Sequence, residues 1–514
     1  MPAIFLKKCI LLLLINLSIT GVFAQTYNVL DYNAKPDGKT INTIAIQNAI
    51  DAAHKSGGGK VIFPKGSFLT GTLILKSNVE LDIQKNATLL GSTDPKDYPK
   101  LDLSGTEVSS KTDDNSKLAL IWAYKAENIS ICGEGTIDGQ GRALALTIDS
   151  LHHSGIVIDP NYGKRPSETV RPKIINVLEC ENIKVENLSI LNSSSWVQTY
   201  ELSENIIIRN LRINSTAYWN NDGINITDSK NVLIEKCDIN AADDGITLKS
   251  YFPDKFSDNV VIQNCRIRSS ASAVKFGTAS YGGFKNVTIK NIEVYDTYRS
   301  AVALEAVDGG FIENIEVSNI NAINTGNAVF VRLGHRAGEK PGYVKNVNIK
   351  NVKVQVPFGR PDLNYDLRGP ALTYFHNIHP MVIAGIPGHD MENISLENIE
   401  ITYPGRASKA MAYVPLWRLS TIPEDIAGYP EFSKFGELPS YGFYVRHING
   451  ITFKNIKLNL EAEDFRPAFV FDDVKNLKIE KVKLPNEKKE QIILYKSTNA
   501  EIANPEQKLV KEIK

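Results

Sequence analysis

Two short segments of this sequence put carboxylates where acid–base chemistry needs them. Asn220-Asn221-Asp222-Gly223 is followed, one repeat unit later, by Asp243-Asp244-Gly245. Each Asp-Gly opens a stretch of alternating apolar and polar residues. Aligned on that alternation, Asp222 and Asp244 hold the same place in successive units, and Asp243 adjoins them. No Lys or Arg lies within two residues of any of the three. Crowded like charges raise the pKa of one carboxyl and leave its neighbour ionised, giving a proton donor beside a base. Glycoside hydrolysis uses such a pair. When the two groups stand about 6.5–9.5 Å apart, a water fits between them and the anomeric centre inverts. Two other readings stay open. Asp-Gly is a common turn pair whose carboxylate caps local amides. The carboxylates with Asn220, Asn221 and Asn225 also carry the oxygen ligands that calcium takes. Two pairs in register favour chemistry over a turn.

The elements that must position these residues are repeats. Asn182-Ile-Lys-Val-Glu-Asn-Leu-Ser-Ile is followed by similar nonapeptides from Asn205, Asn231 and Asn259, then by returns at Asn286, Asn314, Asn346 and Asn393, with weaker copies at Asn128, Gly450 and Asn476. Between Asn205 and Asn314 the starts are 26, 28, 27 and 28 residues apart. Within a unit the apolar period is 2, the period of strands. Repeats of this length containing several strands predict the coils of a parallel β-helix, in which stacking buries a face that one coil cannot. The recurrent Asn predicts a ladder of amide hydrogen bonds along the stack. Thr43-Ile-Ala-Ile-Gln-Asn-Ala-Ile-Asp-Ala-Ala has helical spacing and predicts a short N-terminal capping helix, with Thr40 or Asn42 as its N-cap. Segments at roughly 139–172, 357–392 and 404–447 interrupt the coils, and long insertions on a rigid scaffold often bind ligands.

Five coils align on one strand, opening at Asp222, Asp244, Ser272, Ser300 and Asn327. The third and fifth residues of each are apolar and point into the core; the fourth and sixth face away from it. The outward set is Asn225, Thr227, Thr247, Lys249, Lys275, Gly277, Ala303, Glu305, Phe330 and Arg332. Stacked strands lie about 4.8 Å apart, which makes Asp222 and Asp244 near neighbours. Asn225, Lys249, Lys275, Glu305 and Arg332 are therefore candidate substrate-binding residues. Of the nearby aromatics Trp196, Tyr218 and Trp219, the preferred platform for a sugar ring is Trp219, three residues before Asp222.

At these residues the chain resembles the polygalacturonase-type hydrolases of glycoside hydrolase family 28. The resemblance extends from about Tyr27 to about Pro485. It rests on Asn220-Asn221-Asp222-Gly223, with Asn where the family has Thr, and on Asp243-Asp244-Gly245. It implies an all-β, right-handed, single-stranded parallel β-helix and an inverting mechanism, with Asp243 as general acid and Asp222 and Asp244 activating water. Two family signatures are missing. The His of a Gly-His-Gly segment falls on Ser272, and the cations of an Arg-x-Lys segment fall on Ala303 and Glu305. In the family those cations hold the galacturonate carboxylate. Lys249, Lys275 and Arg332 are left to hold an acidic sugar, or to pair with Glu305, which would repel a uronate beside it.

Lys7 and Lys8, the apolar run from Ile10 and the small Ala24 before Gln25 read as a cleaved signal peptide. The expected organisation is a signal over 1–24, a β-helix domain over 25–485 and a C-terminal strand or tail over 486–514. The expected product is a secreted or periplasmic monomer with no membrane anchor. Cys9 precedes the apolar run, so it does not mark a lipoprotein. With 58 basic and 58 acidic residues the chain has no global basic field for nucleic acid. Cys132, Cys180, Cys237 and Cys265 form no C-x-x-C pair, and Cys237 and Cys265 occupy equivalent repeat positions, as core thiols would. His376, His379 and His389 share one insertion but match no metal motif. No metal or other cofactor is expected. The partner is an acidic or mixed plant-type polysaccharide such as pectin, and the expected action is exo. The alternatives are a β-helix polysaccharide lyase, which would need a base at the uronate C5 and would leave an ultraviolet-absorbing product, and a non-catalytic polysaccharide-binding β-helix.

Overall fold

A computed structural model describes residues 25–103, 116–361, 365, 379–410, 414–486 and 490–513. The expected signal over 1–24, with Cys9, and His376 lie outside them. The chain divides into two compact units. One holds residues up to 106, 114–218 and 229–234; the other holds 107–113, 219–228 and 235–514.

In the first unit parallel strands stack in the register that the Ile/Val alternation dictates. Glu181–Glu186 pairs with Glu204–Arg209, matching Ile183 to Ile206 and Val185 to Ile208, all buried. Each such side chain removed from water contributes roughly 1.5–3 kcal/mol. The turn Asn residues explain themselves twice over. Asn182, Asn205 and Asn231 sit at φ of 57°, 58° and 55°, a left-handed conformation that Asn tolerates best after Gly. Their side-chain amides donate along the stack, Asn205 to Asn182 at 3.1 Å and Asn231 to Asn205 at 3.2 Å.

Helix Thr43–Lys55 forms as expected and buries Ile46, Ala49, Ile50 and Ala53. Its cap differs from expectation. Asn42 stands at the N-cap position, but its side chain makes no capping bond there. The amide instead accepts from Lys35 N–H at 2.6 Å and donates to the Thr40 carbonyl at 2.8 Å, closing the preceding loop. A second helix, Gly141–His153, lies inside the first interruption and buries Leu144, Ala145 and Ile148.

In the second unit the five-coil column has the register read from the sequence. Ile224 pairs with Ile246, Ile246 with Val274, Val274 with Val302, and Val302 with Val329. The inward residues are fully buried. The pattern continues past 485. Phe469–Asp472 pairs with Ile492–Tyr495, and those residues pair with Val510–Ile513. None of the four described cysteines forms a disulfide, and Cys180, Cys237 and Cys265 are buried.

The outward residues of the column do face away from the core, but they are not open to solvent. Asn225, Thr227, Thr247, Lys249, Lys275, Ala303, Glu305, Phe330 and Arg332 are all buried. Over Lys275, Ala303, Phe330 and Arg332 the cover is the last interruption. Its residues Leu419, Ile422, Phe432, Phe435 and Leu438 pack on Ala303 and Phe330 as a second apolar cluster. The apolar breaks in an otherwise polar face are the seat of this strap.

Candidate active site

The site is built in the second unit on the first four strands of the column. Register places Asp222 opposite Asp244, since Gly223 N–H donates to the Asp244 carbonyl at 3.0 Å. Asp244 is buried. Its Oδ1 accepts from the Ser272 backbone N–H at 2.9 Å and its Oδ2 meets Lys275 Nζ at 3.2 Å. Asp222 Oδ2 faces Lys249 Nζ at 3.9 Å. Asp243 is less enclosed and accepts from the Asp244 N–H at 3.0 Å.

The two adjacent carboxyls are pushed in opposite directions. Burial and the neighbouring charge of Asp244 raise Asp243 above the ordinary carboxylate range, against the pull of Arg299, Lys275 and Lys249. Burial would also raise Asp244, but Lys275, Arg299 and the Ser272 N–H more than offset it and hold Asp244 low. The surroundings therefore bias the pair apart, Asp243 toward the protonated form and Asp244 toward the ionised form. The calcium alternative loses its footing here, because ammonium groups already supply the positive charge beside Asp222 and Asp244.

Three contributors were not read from the sequence. Arg299 occupies the place held by Asp243 two coils earlier and lies 3.5 Å from Glu431 Oε2. Tyr429, on the strap, accepts from Lys275 Nζ at 3.1 Å and lies under both Lys275 and Arg299, 5.4 and 5.8 Å from its ring centre. Glu431 is the third. Each belongs to a stretch without repeat symmetry or to a slot where other coils have a short side chain.

The remaining candidates separate. Lys249, Lys275 and Glu305 join the carboxylates, and Asn225 lies beside Thr247 in the same row. Trp219 is half-buried next to Asn221, whose amide reaches its carbonyl at 3.4 Å. In the first unit Trp196 is buried, with Lys173 Nζ 5.0 Å from its ring centre, which is a packing role. Arg332, expected to bind substrate, is turned to another task. It donates to the Gly385 carbonyl at 3.1 Å and to the carbonyls of Glu424 and Asp425 at 2.7 and 3.0 Å, pinning the strap. His379 packs edge-on to Phe432, and His389 forms a bridge with Ile386.

A second clamp holds the strap at Glu424. Arg446 meets Glu424 at 2.7 Å and Asp472 at 3.0 Å. His447 lies between carboxylates, with Nδ1 2.7 Å from Asp473 and Nε2 3.1 Å from Glu424. Asp390, His447 and Asp473 converge closely enough to suggest metal ligands. Both imidazole nitrogens are engaged with carboxylates, however, and Lys475 meets Asp390 at 2.7 Å. Burial disfavours the imidazolium, yet the bonds to Glu424 and Asp473 outweigh it and raise the His447 pKa. The folded pKa thus exceeds the unfolded one. The stabilisation is complete below the ordinary histidine value of about 6.5 and fades as pH rises through the folded value. His447→Gln is expected to cost about 1–3 kcal/mol at low pH and less at high pH, read from urea midpoints across pH. An equal loss at every pH would show that the imidazolium is not what the clamp uses.

Among known proteins, the model of the glycosyl hydrolases family 28 matches residues 64–421. A probable polygalacturonase of Vitis vinifera is 26% identical over 411 residues, covering 75% of this chain and 76% of its own. The crystal structure of a hyperthermoactive exopolygalacturonase from Thermotoga maritima matches with a TM-score of 0.58 at 26% identity, over 74% of this chain and 87% of that one. A family 28 exopolygalacturonase of Yersinia enterocolitica matches with a TM-score of 0.64 at 18% identity, over 90% and 79% of the two chains, a likeness of fold. With the parallel register above, these likenesses make the fold a right-handed parallel β-helix.

Proposed function

Because the chain belongs to the glycosyl hydrolases of family 28 and is thus a glycoside hydrolase, we propose that it cleaves pectic polysaccharide with inversion, by exo action. Asp243 protonates the glycosidic oxygen as the bond to the anomeric carbon breaks. Asp222 and Asp244 orient a water on the opposite face, and one of them takes its proton as the new C–O bond forms. The observation that carries this reading is the register that sets Asp222 opposite Asp244 with Asp243 adjoining, where the surroundings push Asp243 up and Asp244 down. Exo action is supported by the strap, which lays Tyr429 and Glu431 against Lys275 and Arg299 at one edge of the site, and by the exopolygalacturonase from Thermotoga maritima among the similar structures. The same reading includes a leader over 1–24 that exports a monomer, and one catalytic solenoid over 25–485 with a C-terminal strand segment behind it.

The test is to follow the reaction on pectic oligosaccharides by proton NMR. The first-formed product should carry the anomeric configuration opposite to the substrate, and single sugars should be released from the first minutes. Retained configuration would remove the roles given to Asp222 and Asp244. A ladder of oligomers with rapid loss of viscosity would remove exo action.

A further inference from the structure

The outward rows of the column lay a polar floor beside the three aspartates. Asn225, Thr247 and Lys275 follow one another in one row, coil by coil. Lys249, Gly277 and Glu305 belong to the other. Gly277 leaves no side chain between its neighbours. A Cβ there would stand 3.5 Å from Glu305 Cβ and 3.6 Å from Glu305 Oε2, and its φ of 93° disfavours any other residue. The floor is buried yet holds unused hydrogen-bonding capacity. Both amide atoms of Asn225, the Thr247 hydroxyl and Glu305 Oε2 have no hydrogen-bond partner among the described residues. Buried polar groups left open in this way are costly unless something binds them.

Charge then limits what that something is. Lys249 faces Asp222, Lys275 faces Asp244 and Arg299 faces Glu431, so the cations of the site are matched. Arg332, beside Glu305 in the next coil, turns its guanidinium to the Gly385 carbonyl and to the strap carbonyls of Glu424 and Asp425. Lys249, Lys275 and Arg299 stand against five carboxyls, Asp222, Asp243, Asp244, Glu305 and Glu431, of which Asp243 and Glu305 are pushed toward the protonated form. A sugar carboxylate would add a further negative charge to a site whose cations, among the described residues, each already face a carboxylate, with the Arg299 Nε–H left without an acceptor there.

We propose that the sugar held at the cleavage point is a neutral residue, and that Glu305 is the specificity-determining residue that accepts its hydroxyl groups and excludes a uronate. The proposal rests on the pectic-hydrolase reading and narrows its substrate. Burial and the nearby Asp244 and Glu431 charges raise Glu305 to about 8, against Lys275 and Arg299. The carboxyl is therefore largely protonated at neutral pH and becomes a full repelling charge above that value.

The test compares two sets of pectic oligosaccharides on the same backbone, one ending in rhamnose and one in galacturonate at the non-reducing end. The kcat/KM for neutral-ended chains should be higher by about a hundredfold. The preference should widen as pH rises through about 8 in the native enzyme and stay flat in Glu305→Gln. Binding of both sets to Asp243→Asn by calorimetry, below and above that pH, reads the same preference without turnover. Tighter binding of neutral-ended chains that widens with pH supports the proposal even if no bond is cleaved, an outcome that would sink the hydrolase reading alone. Equal or better handling of galacturonate ends overturns the neutral-sugar assignment and leaves the hydrolase standing. A pH-flat preference in the native enzyme overturns the role of Glu305, whether or not Glu305→Gln folds.

Discussion

Asp243→Asn is expected to lower kcat by about 10²–10⁴-fold and to leave the fold intact, the range that loss of a positioned general acid produces. The substitution is nearly isosteric and removes a group whose one described bond is to the neighbouring Asp244 N–H, so the melting transition should hardly move. The pH profile makes the assignment specific. Activity of the native enzyme should fall at high pH as Asp243 loses its proton, on a limb lying above the ordinary carboxylate range because burial and Asp244 raise this group. Asp244→Asn removes one of those causes, so any residual activity should show that limb at lower pH. Near-native turnover in Asp243→Asn would mean that another group protonates the leaving oxygen.

Lys275→Met should reduce activity near neutrality by about a hundredfold and destabilise the fold by about 3–5 kcal/mol, because it strips the partner from a buried carboxylate. Lys275 is the first of the groups that hold Asp244 low against its burial. Without it Asp244 protonates at higher pH, and the acidic limb of the profile moves upward. Part of the activity should then return as pH is raised. A drop in thermal stability with an unmoved acidic limb would mean that Lys275 supports the fold but does not set the charge of Asp244 during turnover.

The column that carries the aspartates was legible because strand alternation has no slack. One residue of slip would have sent Ile224, Ile246 and Val302 outward, so their apolar character fixed where Asp222 and Asp244 must stand. The Asn residues were legible as a ladder, and the structure adds their left-handed φ. What the sequence hid is what the strap does. Tyr429 and Glu431 sit in a stretch with no period, and nothing local says that it folds back onto Lys275 and Arg299. Ala303 and Phe330 looked like interruptions of a polar face and are instead where the strap seats. Arg299 was hidden for a different reason, since its long side chain spans coils whose equivalent positions hold Asp243 and Ala271. Arg332 looked available because its own strand is polar, and only the strap carbonyls show where its guanidinium goes.

The two amide ladders of the second unit have a consequence for how such a protein can change over generations. Asn346 donates to Asn314 at 3.0 Å across 32 residues of chain, yet Asn393 donates to Asn346 at 3.2 Å across 47. In the other ladder Asn398 reaches Asn351 across 47 residues, and Asn455 reaches Asn398 across 57. The rung spacing is nearly the same whatever length of chain lies between rungs. Closing a longer loop costs little, roughly 0.6 kcal/mol for each doubling. The length of chain between rungs can therefore change without moving the rungs, whereas exchange of the strap itself would also require changes at Ala303, Phe330 and Arg332, where it seats. Inheritance acts here on two texts joined at a few words, a frame that keeps the three aspartates in place and a margin whose seat on Ala303, Phe330 and Arg332 must be rewritten with it.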